Sequence, residues 1–306
     1  MRTLVIGESL IDIVHRPDGS AREHVGGSPA NVAVGLARLG HDVTLATMLG
    51  QDARGAKIAS LLDAEGVALT QDSLGGRPTS VATSTLDAAG AATYRFDLTW
   101  QLSRDQPLDG LAHVHTGSVA ATLEPGATAV LDTIEKARPS ATISYDPNAR
   151  PALMGDPHEV RAKIEQLIGL SDVVKASDED IAWLYDSAPL SDILRLWALL
   201  GPELIVVTRG DKGAVIGLTR TGELASIHAP LVEVVDTVGA GDSFMAGLLS
   251  GLLDAGLLGG IQARQRLRSA SLADVRPAVH RGLTCAAVTV SREGADPPRR
   301  GELAAR

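Results

Sequence analysis

Asp236-Thr237-Val238-Gly239-Ala240-Gly241-Asp242 runs directly into the apolar segment Ser243-Phe244-Met245-Ala246-Gly247-Leu248-Leu249. Glycines at 239 and 241 let the backbone turn tightly and point its N–H groups outward. The apolar segment has the length and period of a buried helix. Those N–H groups are therefore expected at its positive end, where an anion, most often phosphate, is held. A carboxylate at the rim of such a site repels phosphate and serves binding poorly. It serves well as a base that takes a proton from a hydroxyl attacking a phosphoryl group. The stretch predicts a buried helix of an α/β fold and phosphoryl transfer to an alcohol. The simpler alternative for Asp242 is a favourable charge on the helix dipole.

Composition bounds the rest. The 306 residues suffice for one large α/β domain or two small ones, with 44% hydrophobic and 21% charged residues, as in soluble globular proteins. Aromatics are only 3%, so the core rests on Ala, Val, Leu and Ile, which suits parallel strands covered by helices on both faces. A formal charge of −9, with no basic cluster longer than Arg299-Arg300, argues against nucleic acid as a partner. The single cysteine, Cys285, excludes an intramolecular disulfide and reads as a core residue of Leu283–Val290. The eight histidines show no metal-site spacing; His113 and His115 share one strand face and read as structural. Met1 leads into a strand-like run without a charged-then-apolar leader, and no apolar run reaches membrane length. A cytoplasmic protein with no membrane partner is expected.

Short β-rich runs alternate with helical patterns along the chain. Strands are expected at Thr3–Ile6, Val43–Thr47, His113–Thr116, Thr142–Tyr145, Val173–Lys175 and Leu204–Thr208. Helices are expected at Pro29–Leu39, Gly55–Glu65, Gly126–Ala137, His158–Ile168, Asp178–Tyr185, Ser191–Leu199, Gly239–Leu253 and Val275–Val290. Two regions break the rhythm. Ile11–His24, around Arg16-Pro17-Asp18-Gly19, and Ser80–Phe96, around Asp87-Ala88-Ala89-Gly90, read as hairpins. Together they can form a small sheet over the carboxyl ends of the main strands, where open α/β sheets bind ligands. The Gly-rich Ala255–Gly260 segment reads as a surface loop.

A second glycine-rich site is Gly26-Gly27-Ser28-Pro29-Ala30-Asn31, where Ser28 can cap the following helix and Pro29 fits its first turn. A plain helix cap and a place of close ligand approach both explain it. Asp12, just after the first strand, reads equally as a solvated carboxylate or as a grip on two sugar hydroxyls. Taken together, Gly26-Gly27 with Asn31 and the Asp236–Asp242 stretch resemble the two signatures of the PfkB, or ribokinase, family of carbohydrate kinases, in the family's order. The similarity runs from Gly7 to Gly294-Ala295-Asp296-Pro297-Pro298, and its local motifs are most like those of fructokinases.

The resemblance implies a ribokinase-like three-layer α/β/α fold over residues 1–306, with a mainly parallel central sheet and a small β lid from roughly 11–24 and 80–100. It makes Asp242 the catalytic base and the amides of Gly239, Ala240 and Gly241 the anion hole. It assigns Asp12, Gly26, Gly27 and Asn31 to the sugar. Asp146-Pro147-Asn148-Ala149-Arg150-Pro151 looks like a fructokinase segment in which Asn148 and Arg150 face sugar or phosphate. In the lid, Arg95, with Tyr94, Phe96 and Trp100, offers a cation and aromatic faces to a sugar ring; building only the lid's own small core is the alternative. Thr208-Arg209-Gly210-Asp211-Lys212-Gly213 resembles the family's nucleotide turn, placing Thr208, Gly210 and Gly213 along ATP; an ordinary β-turn is the alternative.

At Lys175-Ala176-Ser177-Asp178-Glu179-Asp180 the chain departs from the family. Ser177 and Asp180 stand where members carry the Asn and Glu that organise Mg²⁺ and its waters. Ser177 would then sit at the nucleotide, and Asp180 would hold Mg²⁺ through water. A capping box is the equal alternative. Asp236, with carbonyls near Val238, Thr289 and Gly294, corresponds to a monovalent-cation site in some members, so K⁺ stays open. The expected reaction is ATP- and Mg²⁺-dependent phosphorylation of a sugar, with fructose first. A 2-keto-3-deoxygluconate kinase, a ribokinase or another sugar or nucleoside kinase of the family comes next, and a non-catalytic sugar-binding relative is the rival of another class. A homodimer is left open.

Overall fold

A computed structural model describes residues 1–15, 18–86 and 92–303, apart from the side chains of Leu86, Ala92 and Tyr94. The expected turn at 87–90 and the start of the one at 16–19 fall outside the described residues. Among the described residues the main sheet has 9 strands, in the order Glu223–Ile227, Ala214–Leu218, Leu204–Thr208, Val173–Ser177, Thr142–Asp146, Leu111–Gly117, Arg2–Ile6, Asp42–Ala46 and Val67–Leu69. From Leu204–Thr208 onward all pairs are parallel, and the first two strands close that edge antiparallel.

Strand alternation divides the core in two. Val5, Val43, Val173, Leu204 and Val206 face one layer, with the helices Ser28–Arg38, Ala53–Ala64, Ala240–Asp254 and Leu272–Val290. Leu4, Ile6, Val114, Ile143 and Val207 face the other, with Gly126–Ala137, Pro157–Leu170, Asp178–Leu184 and Leu190–Leu200. The central helix of the first layer is Ala240–Asp254. Phe244, Leu248 and Leu252, one helical turn apart, are each at most 2% exposed, and burying such a side chain contributes about 1.5–3 kcal/mol. Small residues let its neighbours approach closely: a Cβ on Gly35 would lie 2.6 Å from that of Ala246. This seam fixes the start of Ala240–Asp254 against the start of Ser28–Arg38.

The two hairpins form one small sheet in the order Ala21–Gly26, Leu10–His15, Val81–Leu86, Ala92–Asp97. Each hairpin pairs antiparallel within itself, and the two join through a parallel pairing of Leu10–His15 with Val81–Leu86. Several elements escape the sequence pattern. Val67–Leu69 is only 3 residues long, and Glu223–Ile227 is an edge strand with mostly exposed side chains. Ile261–Arg268 is too polar to show an apolar stripe, yet it buries Ala263 and Leu267. The Ala255–Gly260 segment is not merely surface, because Leu257 and Leu258 enter the core. His113 and His115 are structural as expected: both are buried and bonded to Thr142 or Ser144 hydroxyls at 2.9 Å. Among the described residues no helix is long and apolar enough to cross a membrane.

Candidate active site

The main parallel strands end at Ile6, Gly117, Asp146, Ser177 and Thr208, and the residues of interest lie just beyond these ends. Two helices also begin there, each capped by a glycine with no side-chain cap. Gly27 precedes Ser28–Arg38 with φ 108°, and Gly239 precedes Ala240–Asp254 with φ 73°. A Cβ would meet the Glu8 carbonyl at 2.4 Å in the first case and the Ala295 Cβ at 2.5 Å in the second. Both conformation and space therefore demand glycine. The result is two helix N-termini without a side-chain cap, although Ala240 N in the second already donates to the Thr237 carbonyl at 3.2 Å.

Asp242 stands in the first turn of Ala240–Asp254 and is 6% exposed. Ser28 Oγ donates to its Oδ1 at 2.7 Å, and Asn31 Nδ2 donates to its Oδ2 at 2.8 Å. Asn148 Nδ2 donates to the same Oδ1 at 3.3 Å and to Ser28 Oγ at 2.6 Å. Such donors fix a carboxylate in place, as a positioned base requires. Ser28 differs from its expected role: Gly27 holds the cap position, and the serine hydroxyl serves Asp242 instead. No local pattern marks a contact spanning 214 residues of sequence.

Asn148 owes its place to a buried pair behind it. Lys175 Nζ bonds Asp146 Oδ2 at 2.9 Å, with side chains 3% and 2% exposed, and Asp146 Oδ1 accepts from Asn148 N at 3.2 Å. Burial pulls the Lys175 ammonium down, but Asp146, Asp180 and Asp242 outweigh it and hold the group above its ordinary value. Sequence reading passed over this lysine because it sits inside a strand.

Asp180 closes its own helix. Ser177 Oγ accepts from Asp180 N at 3.0 Å, and Asp180 Oδ2 accepts from Ser177 N at 2.8 Å, a complete capping box. Its other oxygen accepts from Ala149 N at 2.8 Å. Both oxygens thus join a strand end to the Asp146–Arg150 loop. Among the described residues no group of three or more His, Cys, Asp or Glu could hold a metal ion.

Between lid and strand ends lies a cleft of about 160 Å³, small beside the ~300–1,000 Å³ of drug-sized ligand sites. Asp12, Gly27, Asn31, Arg150, Gly239 and Asp242 line it, as the sequence led one to expect, and Glu8 and Ser118 join them unforeseen. Gly26 takes part at one remove, its Cα backed against the Asp12 carboxylate. Burial pushes Asp12 up to about 6 against the pull of His24 and Arg150. Arg150 is exposed, and its Nη1 donates to Asn148 Oδ1 at 2.7 Å.

In the lid, Arg95 departs from its expected place, and Trp100 takes the core reading. Ala82 and Phe96 pair across the lid strands and both face the cleft, so the adjacent Arg95 points to the opposite, exposed face. Trp100 is core: it is 3% exposed, packs on Gly126 and donates from Nε1 to the Ala120 carbonyl at 3.0 Å. The Tyr94 side chain lies outside the described residues.

Thr208 ends its strand away from this cleft, beside Ser177 in the neighbouring strand. A short 3₁₀ turn, Gly210–Lys212, follows, with open space above Gly210, and Arg209 N donates to the Gly213 carbonyl at 2.8 Å. Asp236 ties the chain ahead of the anion hole to its far side, accepting from Val238 N at 3.0 Å and Gly294 N at 2.8 Å. The edge of the sheet thus carries a cleft with a carboxylate at one end, two glycine-capped helix N-termini, and a glycine turn beyond them.

A model described as pfkB family carbohydrate kinase matches residues 2–300. The chain belongs to that family. This kinase is 34% identical over 304 residues to the fructokinase of Klebsiella pneumoniae, covering 95% of this chain and 94% of that protein. A crystal structure of a fructokinase double mutant from Vibrio cholerae O395, in a fructose, ADP and potassium ion bound form, matches it with a TM-score of 0.81 at 26% identity, over 99% of this chain and 97% of that one. The aminoimidazole riboside kinase of Salmonella enterica, complexed with aminoimidazole riboside and an ATP analogue, matches with a TM-score of 0.79 at 25% identity, over 96% and 95% of the two chains. The kinase therefore has the ribokinase-like architecture, a large, mostly parallel sheet between helices with a small second sheet as lid.

Proposed function

We propose that this carbohydrate kinase transfers the γ-phosphoryl group of ATP to a hydroxyl of fructose, with Asp242 as the base. The observation that carries the reading is the Asp242 carboxylate, held by Ser28, Asn31 and Asn148 at the mouth of a glycine-capped helix. Asp242 takes the hydroxyl proton as the sugar oxygen bonds to phosphorus, and the bond from phosphorus to the ADP oxygen breaks. The amides of Gly239, Ala240 and Gly241 face the charge that develops on the transferring group. Thr208, Gly210 and Gly213 flank the nucleotide.

When bound with the phosphates, Mg²⁺ would supply neutralisation of their charge. Asp180 accepts one backbone N–H on each oxygen and keeps a lone pair on each, so it would hold Mg²⁺ through a bound water while closing its own helix. Asp236 keeps lone pairs for a monovalent cation, which would settle the loop ahead of the anion hole. Names among the relatives support fructose, and the small cleft agrees with a monosaccharide.

The test is turnover with MgATP and fructose, ribose, 2-keto-3-deoxygluconate or aminoimidazole riboside, following ADP and sugar phosphate together. Fructose is expected to give the highest kcat/KM, with one sugar phosphate per ADP. Preference for the riboside would move the kinase to the nucleoside branch. No turnover on any acceptor would make it a sugar-binding relative.

A further inference from the structure

Gly241 lies inside the helix Ala240–Asp254 and, unlike Gly239, takes no positive φ, so backbone conformation does not demand glycine there. Space does. A Cβ at 241 would lie 3.3 Å from Lys175 Nζ, and among the described residues that ammonium is the one group it would meet. Lys175 reaches this point from the strand Val173–Ser177, with its side chain 3% exposed. The missing side chain in the anion-hole motif thus makes room for a buried positive charge. It is the ammonium, not the Asp146 carboxylate bonded to it, that stands against the hole.

Neutralising Asp146 does not exhaust this lysine. An ammonium has three donors, and among the described residues Nζ gives one hydrogen bond, to Asp146 Oδ2 at 2.9 Å. The same charge faces the carboxylates of Asp180 and Asp242 as well. Stability alone gives little reason to keep it, because exchanging a buried ion pair for neutral side chains of similar volume is often harmless. The anion hole has more need of it. One of its three amides, Ala240 N, already donates to the Thr237 carbonyl, and the Asp242 carboxylate in the same helix turn repels a phosphate. We propose that Lys175 is the charge that lets a phosphoryl group and the Asp242 carboxylate share one helix N-terminus, acting from behind Gly241 on the γ-phosphate of ATP. It works through the field at the Gly239–Gly241 amides and is therefore a positioning residue. The proposal rests on the reading of that turn as the phosphate site.

Calorimetry in the presence of Mg²⁺ and without sugar measures Kd for ATP and for ADP in the wild type, Asp146→Asn and the double variant Asp146→Asn/Lys175→Met, with kcat and KM on fructose alongside. In Asp146→Asn the lysine keeps its charge, and the ratio of ATP to ADP affinity should stay close to that of the wild type. In the double variant, where neither charge of the pair is left unpaired, ATP should weaken about tenfold relative to ADP, the scale of one charge–charge interaction in a protein. Its kcat should fall about 100-fold, as when an anion-hole donor is lost, while the fructose KM holds. A double variant that matches Asp146→Asn in both ratio and kcat overturns the proposal and reduces Lys175 to the partner of Asp146. Equal weakening of ATP and ADP also overturns it, marking a general distortion of the site. Gly241→Ala, which presses a Cβ on the ammonium without removing any charge, decides if the double variant does not fold: its ratio should move the same way by a smaller factor, and an unchanged ratio overturns the proposal. The binding measurement needs no acceptor, so a wild type inactive on fructose overturns the fructose reading alone and leaves Lys175 to the ATP-to-ADP ratio. A wild type that binds neither nucleotide overturns both.

Discussion

Asp242 and Asp180 occupy the same place in two helices, the third residue of the first turn at the carboxyl edge of one sheet. Their surroundings give them opposite work. Ahead of Asp180 stands Ser177, and the two exchange backbone-to-side-chain bonds that close the helix end. Ahead of Asp242 stands Gly239, which offers no side chain, so no side chain caps the helix end. Asp242 is held instead by side chains from the Ser28–Arg38 helix and the Asp146–Arg150 loop. Asp180 thus seals its helix through a serine cap, while behind a glycine cap Asp242 is left for the ligand role proposed for it.

Leaving both carboxylates in place, the largest effect should come from closing the open end. Gly239→Ala puts a Cβ 2.5 Å from that of Ala295 and strains a φ of 73°. Steady-state kinetics should show kcat down about 100-fold or more, as when an anion-hole donor is lost; a near-normal kcat would remove the open end from the mechanism. Asn31→Ala frees one oxygen of Asp242 and should lower kcat about tenfold while the KM for ATP holds; an equal loss in both would make Asn31 merely structural.

Opening the sealed end should act on stability instead. Ser177→Ala should cost about 1 kcal/mol and roughly 2–4 °C in a thermal melt, with kcat little changed. A smaller effect tracks pH. Because burial raises Glu8 from 4.5 to about 7, its protonation stabilises the fold fully below 4.5, and this contribution is lost as pH rises through 7. The melting temperature of Glu8→Gln relative to the wild type should therefore climb from pH 5 to pH 8. A flat difference would place Glu8 in water.

Alternation of apolar runs made the parallel strands and their helices legible, and glycine spacing marked both open helix ends. The pattern carried less where it depended on the third dimension. Val67–Leu69 and Glu223–Ile227 are strands by pairing rather than by burial on both faces. Arg95 entered the site by its chemistry and left it by strand parity, since its neighbour Phe96 faces the cleft. Ser28 and Lys175 stand in segments singled out for other residues, and Glu8 in none; the bonds that place them reach partners far away in the chain. Asp180, with two readings open from the sequence, is given its bonding by the Ala149 and Ser177 amides.

The most direct measurement sets Asp242→Asn beside Asp180→Asn in one assay with saturating fructose and MgATP, with ATP binding followed by calorimetry. Asp242→Asn is expected to lose about 1,000-fold in kcat with ATP affinity intact, while Asp180→Asn loses less than tenfold and melts earlier. Near-normal turnover by Asp242→Asn, or equal losses in the two variants, would contradict the assignment of the proton to Asp242.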